Sequence, residues 1–380
     1  MNGGNIMEKL EQLGEDYIPE LGNGFDERIK GNPEGLPVAN YFVPASGEGI
    51  YQISYRVEVL EDVDSFFLFA GRKQLLRQGS RKKGDVVEGS VYLHFGEIIP
   101  RYHKEPMEIT KIGFAVSCED MEKIGNVEMT AQKLPADTKI PVVYLAGDST
   151  MTDQTCEIPY IPGGCYSSWG QELAYYIGQC AAVDNQAHSG LSTEAFRGEG
   201  HFGIVQKFIR PGDYCLFQFG HNDQKLPHLQ ARTGYRDNLI RFVDEVREKG
   251  GIPVLITPLA RNTWKPDGTY NDLLKDHAES VFEIGEELEV PVLDLHKFAM
   301  DLILKNGKEA SRVYFHPGDY THPNEFGSYL FAGFIASALE KTDAHTFQAK
   351  CLDEKSLKPD EGAGSVTGAT ANRNITSEQK

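Results

Sequence analysis

The second part of the chain alternates apolar strand-like runs with amphipathic helical patterns, and this alternation constrains the fold more than any other feature. Five such β–α units predict a mostly parallel sheet that is covered by helices on both faces. The predicted strands are residues 142–146, 182–185, 214–219, 253–257 and 291–295. The predicted helices are residues 168–179, 193–209, 234–248, 273–287 and 324–339. In open sheets of this kind, functional sites form at the carboxyl ends of the strands.

The region before this α/β pattern has a different pattern of apolar and polar residues. Residues 38–133 contain short runs that alternate apolar with polar residues, separated by Gly, Asp or Pro, which is typical of an antiparallel sandwich. We therefore predict a lead-in segment over residues 1–35, a jelly-roll-like β-sandwich domain over 36–135 and an α/β domain over 138–345. Residues 353–380 have almost no large apolar side chains and are predicted to be disordered.

The charge balance excludes some partners. Among 380 residues, 56 are Asp or Glu and 38 are Lys or Arg, so the net charge is −18. An excess this acidic argues against binding to nucleic acid or to an anionic membrane, since both present phosphate. We see no apolar run of about 20 residues and no secretory signal, and we expect a cytoplasmic protein.

The cysteines are scattered and none forms a Cys-x-x-Cys pair, so we expect free, mostly buried thiols in a reducing compartment. They are Cys118, Cys156, Cys165, Cys180, Cys215 and Cys351. No pair of His or Cys residues has metal-ligand spacing, and no glycine loop is suited to a phosphate. We therefore expect neither a metal nor an organic cofactor.

Polar residues follow the predicted strands at four places. Ser149 follows the first strand, Gly190 the second and Asn222 the third, while Asp319 and His322 precede the last helix. Each residue read alone is an ordinary turn or capping residue. Together they supply a hydroxyl nucleophile, a base, an orienting carboxylate and donors for a developing negative charge. The combination predicts a hydrolase that acts through a serine.

These blocks resemble those of the SGNH, or GDSL-type, hydrolase superfamily, and most of all its rhamnogalacturonan acetylesterase-type carbohydrate esterases. The resemblance spans about residues 140–342. The motifs that carry it are Gly147-Asp148-Ser149-Thr150, Ser168-Trp169-Gly170-Gln171, Asn185-x-Ala187-x-x-Gly190-x-Ser192, Gln218-Phe219-Gly220-His221-Asn222-Asp223 and Asp319-x-Thr321-His322-Pro323-Asn324. No Gly-x-Ser-x-Gly elbow surrounds Ser149, which argues against the α/β-hydrolase fold.

The resemblance implies a three-layer α/β/α fold with a five-stranded parallel sheet. It also implies Ser149 as nucleophile, His322 as base and Asp319 as the residue that orients the base. The oxyanion hole would consist of the Ser149 amide, the Gly190 amide and the Asn222 side chain.

Several other residues compete for roles at this site. Asp294 follows the fifth predicted strand and is an alternative orienting carboxylate, while Arg261 is a candidate substrate contact or a surface ion-pair partner. His188 and His221 are read as packing or hydrogen-bonding residues. After Gly190, where the resembling esterases often carry arginines, this sequence has Leu191 and Glu194, which argues against rhamnogalacturonan as the substrate.

The predicted function is removal of O-acetyl groups from a plant-type saccharide by a serine esterase. The partner is then a small acetylated saccharide, and the oligomeric state is left open. A GDSL-type lipase or lysophospholipase is the alternative among enzymes. A non-catalytic carbohydrate-binding protein, working through the N-terminal sandwich, is the alternative outside them. If the two domains are independent, a chain that begins near Asp137 should retain hydrolysis of a small ester.

Overall fold

The structure is a computed structural model of the 380-residue chain. The residues that it describes are 8–9, 21, 24–30 and 33–342. Most of the predicted lead-in segment, the predicted disordered segment over residues 353–380, and Cys351 lie outside the described residues.

The N-terminal region is built from β-strands. The strands are β1 (Glu8–Lys9), β2 (Phe25–Lys30), β3 (Val38–Pro44), β4 (Gly49–Val59), β5 (Val63–Ala70), β6 (Gln74–Arg81), β7 (Val86–Phe95), β8 (Glu97–Ile98), β9 (Met107–Glu108), β10 (Lys111–Cys118) and β11 (Ile124–Lys133). The alternating sequence explains them: in β4, Ile53, Tyr55 and Val57 are buried while the residues between them are half-buried. A strand that buries one face in this way follows from the two-residue period of its side chains.

The remainder of the described chain alternates strands with helices, as the sequence predicts. The strands are β12 (Val142–Gly147), β13 (Cys156–Ile158), β14 (Ala182–Asn185), β15 (Tyr214–Gln218), β16 (Ile252–Ile256) and β17 (Val292–Leu293). The helices are α1 (Trp169–Ile177), α2 (Thr193–Gly198), α3 (His201–Phe208), α4 (Gly234–Glu248), α5 (Lys275–Leu288), α6 (Leu295–Ala310) and α7 (Glu325–Glu340).

The central sheet is larger than the sequence predicts. Five strands run parallel in the order β14-β12-β15-β16-β17. The sheet then continues, because β7 pairs in parallel with β14 at Leu93 and Val183, and β4 and β11 follow as antiparallel neighbours. The complete order is β11-β4-β7-β14-β12-β15-β16-β17, so the sheet has eight strands, of which the N-terminal region supplies three.

Five other N-terminal strands form an antiparallel sheet in the order β1-β3-β10-β5-β6. The expected jelly-roll-like domain is not confirmed, because the N-terminal strands divide between this sheet and the central one. The division of the chain between residues 135 and 138 stays a prediction.

Two apolar cores lie on opposite faces of the central sheet. In β12, Val143 and Leu145 belong to one core, while Val142, Tyr144 and Ala146 belong to the other. The first core joins α1, α6 and α7 to buried residues of β4, β5, β7, β10 and β11. The second core is covered by α2, α3, α4 and α5. The N-terminal region and the α/β region therefore share a core.

One predicted helix and one predicted strand differ from what the structure shows. The helix expected over residues 193–209 is divided into α2 and α3, because Gly200 between them adopts a positive φ of 90°. The strand expected over residues 291–295 ends at Leu293, because the Asp294 side chain accepts a hydrogen bond from the Lys297 amide and begins α6. Sequence analysis did not predict α6.

None of the helices in the described residues combines the length and the apolar composition that a bilayer-spanning segment needs.

Candidate active site

Ser149 lies in a tight turn directly after the central strand β12. No side chain fits at Gly147, since a Cβ there would come within 2.7 Å of the Gln218 carbonyl oxygen on the neighbouring strand. The Asp148 carboxylate holds the turn by accepting from the amide and the hydroxyl of Thr150, at 2.9 and 2.8 Å. Only 8% of the Ser149 surface is exposed, so most of this residue is shielded from solvent.

Ser149, His322 and Asp319 form one chain of hydrogen bonds. The Ser149 Oγ lies 2.8 Å from His322 Nε2, and His322 Nδ1 lies 2.8 Å from Asp319 Oδ2. Because an ionised carboxylate can only accept, the ring hydrogen sits on Nδ1. The Nε2 lone pair then faces the serine hydroxyl and can accept its proton.

Asp319 is held in its ionised form by several donors. Its Oδ1 accepts from the backbone amides of Thr321 and His322, at 2.7 and 3.0 Å. Burial alone raises the pKa of Asp319, but the hydrogen bonds from His322 and from these two amides outweigh burial and hold that pKa well below its usual range. The three-residue spacing in Asp319-x-x-His322 thus allows one carboxylate to fix both the backbone and the ring of the histidine.

The predicted oxyanion donors lie in two loops at the same edge of the sheet. Gly190 has a φ of 87°, and no described residue accepts from its amide or from that of Ser149. The Asn222 Nδ2 donates to the Leu191 carbonyl at 2.9 Å, and Lys225 Nζ donates to Asn222 Oδ1 at 3.0 Å. These contacts orient the Asn222 amide and leave its second N–H for another acceptor.

A buried pair joins the Ser149 turn to the Asn222 loop. His221 Nδ1 lies 3.1 Å from Asp148 Oδ2, and His221 Nε2 donates to the Leu259 carbonyl at 2.9 Å. Burial raises the pKa of Asp148, but the adjacent His221 outweighs burial, so that pKa lies below its usual range. His221 is thus a hydrogen-bonding residue, as the sequence analysis expected, and it fixes the position of the neighbouring Asn222.

Two further residues from the sequence motifs support the Ser149 turn. The Trp169 indole donates to Gln218 Oε1 at 2.6 Å, and Gln218 Nε2 in turn donates to the Thr150 hydroxyl. All three side chains are fully buried. The network continues through Thr150 to Asp148, so helix α1 and strand β15 both hold this turn in place.

Arg261 lies close to the candidate site. Its Nη2 donates to the His221 carbonyl at 3.2 Å. Burial lowers the pKa of Arg261, while the nearby charges of Asp148 and Asp319 act in the opposite direction. No carboxylate among the described residues forms an ion pair with it within 4.0 Å, so its charge is available to a ligand.

Two other acids named in the sequence analysis have different roles. Asp294 accepts from the Lys297 amide and from the Thr257 hydroxyl, both at 3.1 Å, so this alternative to Asp319 caps a helix instead. Glu194 pairs with His228 at 2.8 Å in an exposed position.

His188, which the sequence analysis also named, packs against another imidazole, with its ring centroid 4.8 Å from that of His201.

An aromatic side chain that sequence analysis missed lies beside His322. The Tyr166 ring stacks on the His316 ring with centroids 3.7 Å apart. It also meets the His322 ring edge to face, with centroids 5.7 Å apart. Tyr166 remains 41% exposed. It therefore presents a partly open aromatic surface next to His322.

A small cleft lies beside the Gly190 loop and opens to solvent. Arg72 and Arg101 of the N-terminal region line one side, and Thr152, His188 and Ser189 line the other. The N-terminal region thus forms a wall beside the candidate active site. Sequence analysis did not find this contribution, and the available signal was two adjacent cations, Arg72 and Lys73, after the apolar strand β5.

One group of potential metal ligands occurs among the described residues: Cys156, Glu157 and Cys165. The two sulfur atoms are 2.6 Å apart. Two thiolates on one tetrahedral zinc, each at about 2.3 Å from the metal, would be farther apart than this. The group in this arrangement does not fit a zinc ion.

Comparison with known proteins identifies the family of this chain. The GDSL-like Lipase/Acylhydrolase family matches residues 145–329. The chain is 32% identical over 212 residues to the rhamnogalacturonan acetylesterase RhgT of Bacillus subtilis, covering 52% of this chain and 89% of that protein. It is 30% identical over 207 residues to the probable rhamnogalacturonan acetylesterase YesY of the same organism, covering 52% and 92%. The chain belongs to the GDSL-like lipase/acylhydrolase family.

Membership of this family makes the protein a carboxylic-ester hydrolase. The solved structure of YxiM from B. subtilis has a similar fold, with a TM-score of 0.50 and 21% identity, covering 80% of each chain. The structural match covers more of this chain than residues 145–329, the segment that the family matches, so the similarity of fold extends into the N-terminal region.

Proposed function

We propose that this protein is a serine esterase that removes O-acetyl groups from a carbohydrate, with Ser149 as nucleophile, His322 as base and Asp319 as the orienting carboxylate. The observation that carries the proposal is the continuous chain of hydrogen bonds through these residues, with two links of 2.8 Å. A nucleophile, a base within hydrogen-bond reach and an orienter for that base are the parts such a reaction needs.

In the first half of the reaction, His322 Nε2 takes the Ser149 proton as Oγ attacks the acetyl carbonyl carbon. The carbonyl electrons move to oxygen, and the Ser149 amide, the Gly190 amide and the Asn222 side chain donate to the resulting oxyanion. When the carbonyl re-forms, the bond to the sugar oxygen breaks. The sugar leaves as an alcohol with the proton from His322.

In the second half, His322 takes a proton from water as the water oxygen attacks the acetyl group on Ser149. The same donors hold the second oxyanion. Its collapse breaks the bond to Oγ, returns the proton to Ser149 and releases acetate. Asp319 stays ionised throughout and stabilises the imidazolium that forms in each half.

The sugar substrate is supported by the names of the relatives, of which RhgT is given as a rhamnogalacturonan acetylesterase and YesY as a probable one. In the cleft beside Gly190, Arg101, His188 and Ser189 offer polar contacts to a sugar, and Ile98 and Ile99 offer apolar ones. The intact hydrogen-bond chain argues against a purely binding protein.

Acetate release from matched substrates tests this proposal. The panel contains acetylated rhamnogalacturonan and xylan oligosaccharides, p-nitrophenyl acetate and p-nitrophenyl octanoate, with Ser149→Ala as the blank. We expect release from at least one acetylated oligosaccharide and a higher kcat/KM on the acetate ester than on the octanoate ester. Faster hydrolysis of the octanoate ester, with no release from any oligosaccharide, would support the lipase alternative instead.

A further inference from the structure

The turn between β5 and β6 carries two buried cations into the α/β region. Arg72 is 8% exposed and Lys73 is 1% exposed. Charged side chains are rarely buried to this degree unless they are paired. The partners of these two residues therefore show what the turn holds in place.

Arg72 is bound to the segment that follows Ser149. Its Nη2 lies 3.1 Å from Asp153 Oδ2 and donates to the Asn185 carbonyl. The Asn185 Nδ2 donates in turn to the Met151 carbonyl at 2.7 Å and to Asp153 Oδ1 at 2.8 Å. The guanidinium and the Asn185 amide thus fix residues two and four positions beyond Ser149.

The backbone of Arg72 is also linked to Ser149. Gln171 Nε2 donates to the Arg72 carbonyl at 3.1 Å and to the Gln154 carbonyl at 2.9 Å. The side chain of Gln154 then donates to the Ser149 carbonyl at 3.0 Å. All of these groups are buried, so each of these hydrogen bonds is made without competition from bulk water.

Lys73 is bound to the other half of the site. Its Nζ lies 3.5 Å from Glu325 Oε1, and Glu325 is the first residue of α7, three positions after His322. Glu325 Oε2 accepts from the Gly163 amide at 3.0 Å. Lys73 has a φ of 67°, a left-handed conformation that costs energy in a non-glycine residue and persists where the surroundings enforce it.

We propose that Arg72 and Lys73 are positioning residues that hold the Ser149 segment and the His322 segment at the separation their hydrogen bond requires. The proposal rests on the catalytic roles proposed above for Ser149 and His322. The two segments are far apart in sequence, and a single turn contacts both. Displacement of a reacting group by about 1 Å can reduce a rate by about 10²-fold, so a support of this kind affects turnover.

The competing interpretation is that these ion pairs serve only stability. Buried ion pairs are weak grounds for a stabilising role, because desolvation offsets their attraction. Thermal stability and catalysis must therefore be measured separately. A loss of kcat with an unchanged KM, in a protein that remains folded, distinguishes positioning from simple destabilisation.

The test uses the full chain and p-nitrophenyl acetate. Arg72→Lys keeps a charge beside Asp153 but loses the fork that reaches both Asp153 and Asn185. The double variant Arg72→Met/Asp153→Asn removes both charges, so that no unpaired charge is left buried. Lys73→Met/Glu325→Gln does the same on the His322 side. Arg81→Met, which removes a half-buried cation from the adjacent strand β6, is the control.

We expect each of the three test variants to lower kcat by about 10- to 100-fold with KM within about twofold of wild type. Labelling of Ser149 by a fluorophosphonate probe should slow by a similar factor, and Arg81→Met should match wild type in both assays. Circular dichroism reports which variants are folded. Arg72→Lys is the most conservative of the three test variants, so kcat and labelling can still be measured on it if a double variant does not fold.

A wild-type kcat and labelling rate in any folded test variant would overturn the proposal. Ser149→Ala separates this failure from a failure of the proposed function. If Ser149→Ala is inactive while the Arg72 and Lys73 variants hydrolyse normally, only the positioning role is wrong. If Ser149→Ala keeps wild-type activity, the proposed nucleophile itself is wrong.

Discussion

The Nε2 atom of His322 lies 2.8 Å from the Ser149 hydroxyl, although 173 residues separate the two in the chain. Their proximity depends on the central sheet, which places the end of β12 beside the start of α7. It also depends on contacts from a third part of the chain, the β5–β6 turn. Catalysis in this protein should therefore respond to changes in the N-terminal region as well as in the family motifs.

Asn222→Ala should lower kcat by about 10²- to 10³-fold with little change in KM, because a donor to the oxyanion acts mainly in the transition state. Steady-state hydrolysis of p-nitrophenyl acetate measures both constants. Asn126→Ala changes the same residue type at an exposed position in the N-terminal region and serves as the control. An unchanged kcat in Asn222→Ala would show that Asn222 does not stabilise the oxyanion and only holds its loop through the hydrogen bond to Leu191.

Arg261→Met should raise the KM for an acetylated oligosaccharide that contains uronic acid more than the KM for a neutral one of equal length. The physical reason is that Arg261 has no carboxylate partner among the described residues and can pair with a sugar carboxylate. A charge-assisted hydrogen bond contributes about 1.5–3 kcal/mol, which corresponds to roughly 10- to 100-fold in KM.

The control for this comparison is Arg312→Met, because Arg312 is exposed and already pairs with Glu309 at 3.0 Å. If both oligosaccharides lose affinity equally in Arg261→Met, the side chain does not select for a negative charge on the sugar.

Glu172→Gln should stabilise the protein at pH 8 relative to wild type and have a smaller effect at pH 5. Burial raises the pKa of Glu172 to about 8, although the charge of Lys73 opposes this rise. At pH values between 4.5, the ordinary pKa of this residue, and about 8, Glu172 holds a proton in the folded protein that it releases in the unfolded chain. Stability therefore falls as pH rises through this window, by about 1.4 kcal/mol per pH unit at most.

Urea unfolding of wild type and Glu172→Gln at several pH values measures this difference. The amide oxygen that this substitution introduces would still accept from the Ser167 hydroxyl, which lies 3.0 Å from the Glu172 carboxylate in wild type. Glu309→Gln, at an exposed position, should show no such trend. A pH-independent difference for Glu172→Gln would mean that Glu172 is ionised in the folded state throughout the range.

A shortened chain that begins at Asp137 should be insoluble or should lack measurable hydrolysis of p-nitrophenyl acetate. This expectation is opposite to that of two independent domains. Removal of residues 1–136 uncovers the β14 edge of the central sheet, exposes the core that the two regions share and deletes Arg72. A soluble shortened chain with wild-type kcat would show that the α/β region folds and functions alone.

The α/β pattern and the positions of the site residues could be predicted because their signals are local. The five parallel strands follow from apolar runs, and Ser149, Asp319 and His322 from short motifs after strands or before a helix. Helix α6 was missed because residues 291–295 were read as one apolar strand, whereas Asp294 ends that strand and caps the helix.

The extension of the central sheet could not be predicted for a different reason. Alternating polarity identifies a strand and the face that it buries, but it does not identify the strand with which it pairs. The pairing of β7 with β14, between Leu93 and Val183, joins segments that are distant in sequence. The contacts of Arg72 depend on that pairing, so no local pattern could reveal them.

The central claim is that Ser149 is the nucleophile, and labelling tests it most directly. After reaction with a fluorophosphonate probe, peptide mass spectrometry should place one phosphonyl group on Ser149, with esterase activity lost in proportion to labelling. Ser149→Ala should neither be labelled nor retain more than about a thousandth of wild-type kcat, since loss of a nucleophile typically costs more than this. Labelling at another residue, or near-normal turnover by Ser149→Ala, would contradict the account.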